Sequence, residues 1–184
     1  MTEVYKWEEW LAQERKDKDE SFAAPWQSPI PLEERSSFRG LSYYPIDPNF
    51  RFELELHEHS DKKMIEIEDT RGNIRQFLRW GEFQFNVGNE KFTLQAYKSA
   101  PEEERLFVPF RDATNGKETH GMGRYLDLKS RDRTANGRWF LDFNKAYNPW
   151  CAYSEDYACP FVAPENWLEV PIKAGEKDYV RTIL

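Results

Sequence analysis

Apolar residues recur at every second position over most of the chain after Phe38, and this period determines the class of fold. In RFELELHE, which starts at Arg51, apolar and charged residues alternate, as they do in a β-strand with one buried face. KKMIEIED repeats the pattern, and FQFNVGNEKFTLQAY predicts a hairpin with its tip at Gly88-Asn89. The segments LFVPF, GRYLDL and GRWFLDF predict three further strands.

These strand candidates follow one another closely, and no helical pattern separates them. Such spacing favours antiparallel pairing over β-α-β units. We therefore predict a mainly β protein, in which an antiparallel meander forms a barrel or a partly open barrel. A β-sandwich is the alternative.

The 184 residues are expected to form a single domain. Residues 1–20 form its N-terminal helix, and 21–36 a proline-rich connector. The β-barrel-like body spans 37–143. Residues 144–184 show little alternation but are rich in aromatic side chains that need burial, which predicts a long, ordered, loop-rich segment.

The N-terminal helix is predicted from helical spacing. Val4, Trp7 and Leu11 share one face, and Thr2 is a candidate N-cap. The tail ERKDKDE is charged on all sides, so we expect it to remain in solvent.

Charge and composition exclude several classes of function. The net charge is -7, which disfavours binding to nucleic acid or to an anionic membrane surface. The N-terminus lacks the pattern of a secretory signal. We therefore expect a cytoplasmic protein whose cysteines are thiols. Aromatic residues make up 16% of the chain, which predicts either a large packed core or an aromatic-lined cavity.

Polar residues on three predicted strands could converge on one site. Arg111 ends LFVPFR, Tyr125 lies in GRYLDL, and Asp142 and Asn144 end RWFLDFN. Because buried charges must be paired, we expect Arg111 to pair with Asp142. This pair would either anchor a ligand or serve only as a structural ion pair.

The remaining candidate groups are few. Cys151 could act as a nucleophile with His120 as its base, or it could be a buried thiol or part of a disulfide with Cys159. Glu165 could be a general acid or base, or it could cap a turn or pair with an arginine. The cysteines and histidines lack zinc-site spacing, and the glycine pair around Met122 precedes a strand rather than a helix. No metal and no cofactor are predicted.

Four long motifs carry a resemblance to a known family. They are FRGLSYYPIDPNFRF, LFVPFRDATNGKETHGMGRYLDL, LDFNKAYNPWCAYS and CPFVAPENWLEVPIKAGEK. In these motifs the chain resembles the bacterial and archaeal family known as domain of unknown function 1684, from which His120, Trp150 and Trp167 look like departures. The resemblance implies no activity. It implies that any site lies among ten residues: Arg111, Asp112, Thr114, Tyr125, Asp142, Asn144, Tyr147, Asn148, Cys151 and Glu165.

Three hypotheses of function follow. The first is binding of a small, anionic ligand in an aromatic-lined cavity anchored by Arg111 and Asp142. The second is a hydrolase-type enzyme that uses Glu165, Asp142 or Cys151. The third is a structural or partner-binding module, and a homodimer is compatible with it.

Overall fold

The computed structural model describes residues 3–24, 26 and 28–180. The proposed cap Thr2 and the side chain of Val4 lie outside the described part. One helix and eight strands follow along the described chain: α1 (Glu3–Ala23), β1 (Arg51–Leu54), β2 (His57–Glu58), β3 (Met64–Glu68), β4 (Ile74–Val87), β5 (Glu90–Lys98), β6 (Leu106–Phe110), β7 (Arg124–Leu128) and β8 (Trp139–Asp142). Short 3₁₀ turns lie at Arg35–Ser37, Pro48–Phe50, Ser130–Asp132, Phe143–Lys145, Trp150–Ala152 and Pro164–Asn166.

The predicted mainly β, antiparallel fold is confirmed. One sheet has the strand order β2-β4-β5-β6-β7, with β3 also paired to β4, while β1 and β8 form a separate two-stranded ribbon. Neither sheet closes on itself within the described residues, so a closed barrel is not formed. The segment after β8 is ordered by 3₁₀ turns and isolated bridges, as predicted.

The six-stranded sheet is covered on both faces, and β6 is its most buried strand, since all five of its residues are buried. The main core lies between this sheet and the β1-β8 ribbon, with Phe83, Val108 and Leu141 at its centre. A second core on the opposite face contains Phe107 and Tyr125. The alternating faces of the strands therefore both point into packed interiors.

Helix α1 lies against the body through a stripe of buried side chains. Trp7, Leu11 and Phe22 are buried, and their spacing places them on one helical face. The Trp7 indole Nε1 donates a hydrogen bond of 2.8 Å to Oδ2 of Asp142. The helix runs to Ala23, so the charged tail expected to remain in solvent is helical. No described helix is both long enough and apolar enough to cross a bilayer.

A β-bulge divides β4 into two halves. Arg79 pairs with Tyr97 and Gly81 pairs with Ala96, so Trp80 is an extra residue between them. Gly81 lies so close to β2 that a Cβ atom there would be 2.8 Å from the carbonyl oxygen of His57. A side chain at this position would therefore separate β2 from β4.

The C-terminal segment is attached to β7 by a buried arginine. The Arg124 side chain is fully buried, and its Nη2 lies 2.9 Å from Oδ2 of Asp112. Its guanidinium also donates to the carbonyl oxygens of Ile172, Ala174 and Glu176. A charge so deep in the protein is stable only because these acceptors replace water.

We expect Asp112→Ala to destabilise the protein strongly, because it leaves the Arg124 charge buried without its carboxylate. Removing one partner of a buried pair costs about 3–5 kcal/mol. Urea unfolding would measure the loss. Glu53→Ala is the control, since Glu53 pairs with Arg138 at 3.4 Å on an exposed surface and should cost less than about 1 kcal/mol. Equal losses in the two variants would contradict a stabilising role for the buried pair.

We expect Trp7→Phe to weaken the attachment of α1, because it keeps a ring but removes the donor to Asp142. The expected loss of unfolding free energy at neutral pH is about 1–3 kcal/mol. Burial already raises the pKa of Asp142, and the lost N–H raises it further. The loss should therefore shrink as the pH falls and Asp142 becomes protonated. Trp26→Phe is the control because Trp26 is exposed, and a pH-independent loss would argue against this interpretation.

Candidate functional site

A cleft of about 330 Å³ lies between α1 and the body. The helix forms one wall, and the residues that follow β7 and β8 form the other. Five basic and three acidic side chains are among the residues that line it: Trp10, Leu11, Glu14, Arg15, Lys18, Tyr43, Asp127, Lys129, Arg131, Asn144, Lys145, Ala146, Tyr147 and Glu176.

Arg15 is the distinctive group in this cleft. Its Nη1 donates to the carbonyl oxygen of Tyr44 at 3.0 Å, and its Nη2 donates to that of Asn144 at 3.2 Å. The guanidinium lies over the ring of Tyr43, 4.4 Å from the ring centroid. Within the described residues Arg15 forms no ion pair, and its buried Nε has no hydrogen-bond partner. Burial lowers the pKa of Arg15.

Three other cations of the cleft wall are already paired. Lys18 contacts the carboxylate of Glu176, Lys145 contacts that of Asp132, and Nη2 of Arg131 lies 3.5 Å from Oε2 of Glu14. The positive charge of Arg15 is therefore less compensated than that of these three neighbours.

Glu176 forms the base of the cleft and is almost completely buried. Its Oε2 accepts hydrogen bonds of 2.8 Å from the backbone N–H of Asn148 and from the Tyr153 hydroxyl. Oε1 accepts from Lys18. The carboxylate is thus satisfied by the protein itself, and it also fixes Lys18 in the wall.

Polar aromatic groups complete the cleft. The Tyr147 hydroxyl donates to Oδ2 of Asp127 at 2.8 Å, and burial raises the pKa of Tyr147. Burial likewise raises the pKa of Tyr43, so both phenols stay protonated. The Nδ2 of Asn144 donates to the carbonyl oxygen of Asp47 at 2.8 Å, which holds the wall in place.

A second cleft of about 380 Å³ lies on the other side of Trp10 and shares Trp10, Arg131 and Lys145 with the first. Arg51 lines it, with its guanidinium 3.7 Å from the Phe140 ring centroid. Together the two clefts form a continuous surface along α1 that is lined by basic and aromatic side chains.

The structure brings some of the predicted site residues to this region. Asn144 and Tyr147 line the first cleft, and Asp142 lines the second. Asp142 accepts from Trp7 and from Asn144, and its Oδ2 is 3.8 Å from Nε of Arg51.

Arg111 lies elsewhere, and the predicted ion pair with Asp142 is not formed among the described residues. The Arg111 guanidinium instead lies 4.7 Å from the ring centroid of Trp167. Tyr125 is also separate from Asp142, because its hydroxyl donates to the carbonyl oxygen of Pro160. The polar cluster expected from the strand faces therefore does not assemble.

Three other predicted residues make structural hydrogen bonds. Asp112 receives the Thr114 hydroxyl at 2.6 Å, next to the buried arginine described above. Asn148 donates through Nδ2 to the carbonyl oxygen of Lys177 at 2.8 Å. These bonds hold loops together and leave Asp112 and Thr114 buried.

The candidate catalytic groups lie in separate places. Glu165 accepts from the Tyr97 hydroxyl at 2.5 Å and from Arg79 at 3.0 Å. Cys151 contacts Met122 and Cys159, whereas Nδ1 of His120 faces Asp178 at 3.5 Å. The proposed Cys151–His120 pair is therefore not formed in the described part of the chain. Among the described residues, no group of three or more His, Cys, Asp or Glu is arranged to hold a metal.

The sequence interpretation missed Arg15, Lys18 and Glu176. A signal was present for the first two, because they continue the helical face that begins with Trp7 and Leu11 and ends at Phe22. Their charge suggested that these two side chains face solvent, whereas their position on the helix places them on the side that faces the body. Glu176 gave no comparable signal, since it follows a glycine in an irregular segment.

Comparison with known proteins supports the fold and adds no activity. A solved structure that resembles this one is the solution NMR structure of an uncharacterized protein from Haloarcula marismortui. It is 38% identical, covers 95% of each chain and has a TM-score of 0.73. None of the curated proteins compared with the chain matches it. The model of one family matches residues 36–177, which is more than half of the chain. The chain therefore belongs to the family described as "Protein of unknown function (DUF1684)".

Proposed function

We propose that the protein binds a small anionic molecule in the cleft under α1, with Arg15 as the anchoring cation. The observation that carries this proposal is the state of the Arg15 side chain. It is half-buried and lies in a cleft wall, yet within the described residues its hydrogen bonds go to two neutral carbonyl oxygens. A guanidinium has five N–H donors, and these two bonds use two of them. The carboxylates of Asp142 and Glu176 act on Arg15 without forming an ion pair with it, and an anion in the cleft would supply a directly bonded partner.

The rest of the wall suits a small organic anion. Asn144 and Tyr147 provide polar groups, while Trp10, Leu11 and Tyr43 provide apolar and aromatic surface. A cleft of about 330 Å³ lies at the lower end of the range for small-molecule sites. This combination of a few polar groups on an apolar surface favours a compact ligand with one carboxylate or phosphate.

The hypothesis of anion binding, which came from the sequence, is thus retained, but the proposed anchoring residue is now Arg15 and no longer Arg111. Arg111 lies beside Trp167 and is not among the residues that line either cleft under α1. Asp142, Asn144 and Tyr147 remain in the proposed site. Asp142 would act there through Trp7 and Asn144, which it holds by hydrogen bonds.

We expect Arg15→Gln to lower the affinity for small anions about 10- to 100-fold, because a hydrogen bond to a charged group is worth about 1.5–3 kcal/mol. Inorganic phosphate, succinate and adenosine monophosphate would be titrated at constant ionic strength and followed by ¹H–¹⁵N NMR. The strongest shifts should fall on α1 near Arg15, on Tyr43 and on Asn144 to Tyr147.

Arg111→Gln is the matched control, since it removes the same charge from a different place. Arg39→Gln is a second control, because Arg39 is exposed and donates to the nearby carbonyl oxygens of Ser36 and Phe38. Both should bind like the unaltered protein. Shifts centred on Trp167, equal losses in the Arg15 and Arg111 variants, or no binding of any of the three anions would contradict the proposal.

A further inference from the structure

Three sulfur-bearing residues, Met122, Cys151 and Cys159, lie close together and line neither cleft under α1. Cys151 lies in the 3₁₀ turn Trp150–Ala152, and its Sγ is 4.0 Å from the Sδ of Met122. The backbone N–H of Cys151 donates to Sγ of Cys159 at 3.3 Å. Neither cysteine forms a disulfide.

We propose that Cys151, Cys159 and Met122 form a three-coordinate site for a soft monovalent metal ion, namely Cu(I). Thiolate and thioether sulfur atoms are soft ligands, and they select Cu(I) over harder ions. Zinc sites use four ligands drawn from thiolate, imidazole and carboxylate groups. Among the described residues no such set surrounds the two cysteines.

The sulfur spacing fits this coordination. The zinc–thiolate bond is about 2.3 Å long, and with three metal–sulfur bonds of that length the ligands of a planar three-coordinate ion lie about 4.0 Å apart by the geometry of an equilateral triangle. The Cys151 Sγ to Met122 Sδ distance is 4.0 Å. Thus one edge of the triangle already has the length that the ion requires.

Metal binding would displace the thiol protons. Bonds form from the ion to the sulfur atoms of Cys151 and Cys159 and to the Met122 thioether. The S–H bonds of both cysteines break, and both protons leave to solvent. No oxidation state changes, and the site carries one negative charge when filled.

The backbone around Met122 keeps the thioether in position. Gly123 has a φ of +104°, and a Cβ atom there would lie 2.5 Å from the carbonyl oxygen of Phe110. The turn is therefore pressed against β6, and only glycine fits it. Met122 and Cys151 are half-buried, while Cys159 is buried.

The test is an anaerobic titration of the reduced protein with Cu(I), in competition with the chromophoric chelator bathocuproine disulfonate. We expect the protein to take one Cu(I) per chain and X-ray absorption to show three sulfur ligands. Loss of an outer partner of a metal ligand costs about 10- to 100-fold in affinity. Met122→Leu removes a direct ligand at nearly constant volume and should weaken binding at least tenfold, with two sulfur ligands remaining.

Cys151→Ser should abolish binding, and Met64→Leu is the matched control because Met64 is an exposed methionine on β3. Cys159 is buried, so a serine there could impair folding, whereas Met122→Leu tests the site without that risk. Three results would each overturn the proposal: no transfer of Cu(I) from the chelator, unchanged affinity in Met122→Leu, or displacement of Cu(I) by equimolar Zn(II).

Discussion

The buried guanidinium of Arg124 is the interaction on which the rest of the structure depends. It binds Asp112 on one side and three carbonyl oxygens of alternate residues, Ile172, Ala174 and Glu176, on the other. Up to residue 180, where the described chain ends, the C-terminal segment contains no strand that could hold it there. Because Glu176 is the last of these residues, the same contacts place its carboxylate under α1, where it receives Lys18. The cleft thus depends on a charge in the core.

The charge of the whole chain and the charge of the cleft have opposite signs. The protein carries a net charge of -7, whereas the cleft is lined by more basic than acidic groups. Such a local reversal would favour the proposed binding of an anion at this one place on an otherwise negative surface. Partial desolvation would strengthen that interaction at Arg15, since a charge with less water around it interacts more strongly with an opposite charge.

The sequence predicted the strands well, because alternation depends only on which residues face the interior. It could not predict which strands are neighbours. Asp142 ends β8, which pairs with β1, whereas Arg111 follows β6 in the larger sheet, so the predicted pair belongs to different sheets. The burial of Arg124 could have been predicted from the sequence, since Arg124 shares a strand face with Leu126 and Leu128. A charged residue in that position signals a buried network.

Because of the bulge at Trp80, the single strand β4 contributes side chains to both hydrophobic cores. In a regular strand Phe77 and Phe83 would face the same way, because they are an even number of residues apart. In this protein Phe77 packs in one core and Phe83 in the other. Because of the extra residue, every side chain of β4 after Trp80 points to the opposite face from the one it would have in a regular strand. The number of residues between these two phenylalanines is therefore as constrained as their identity.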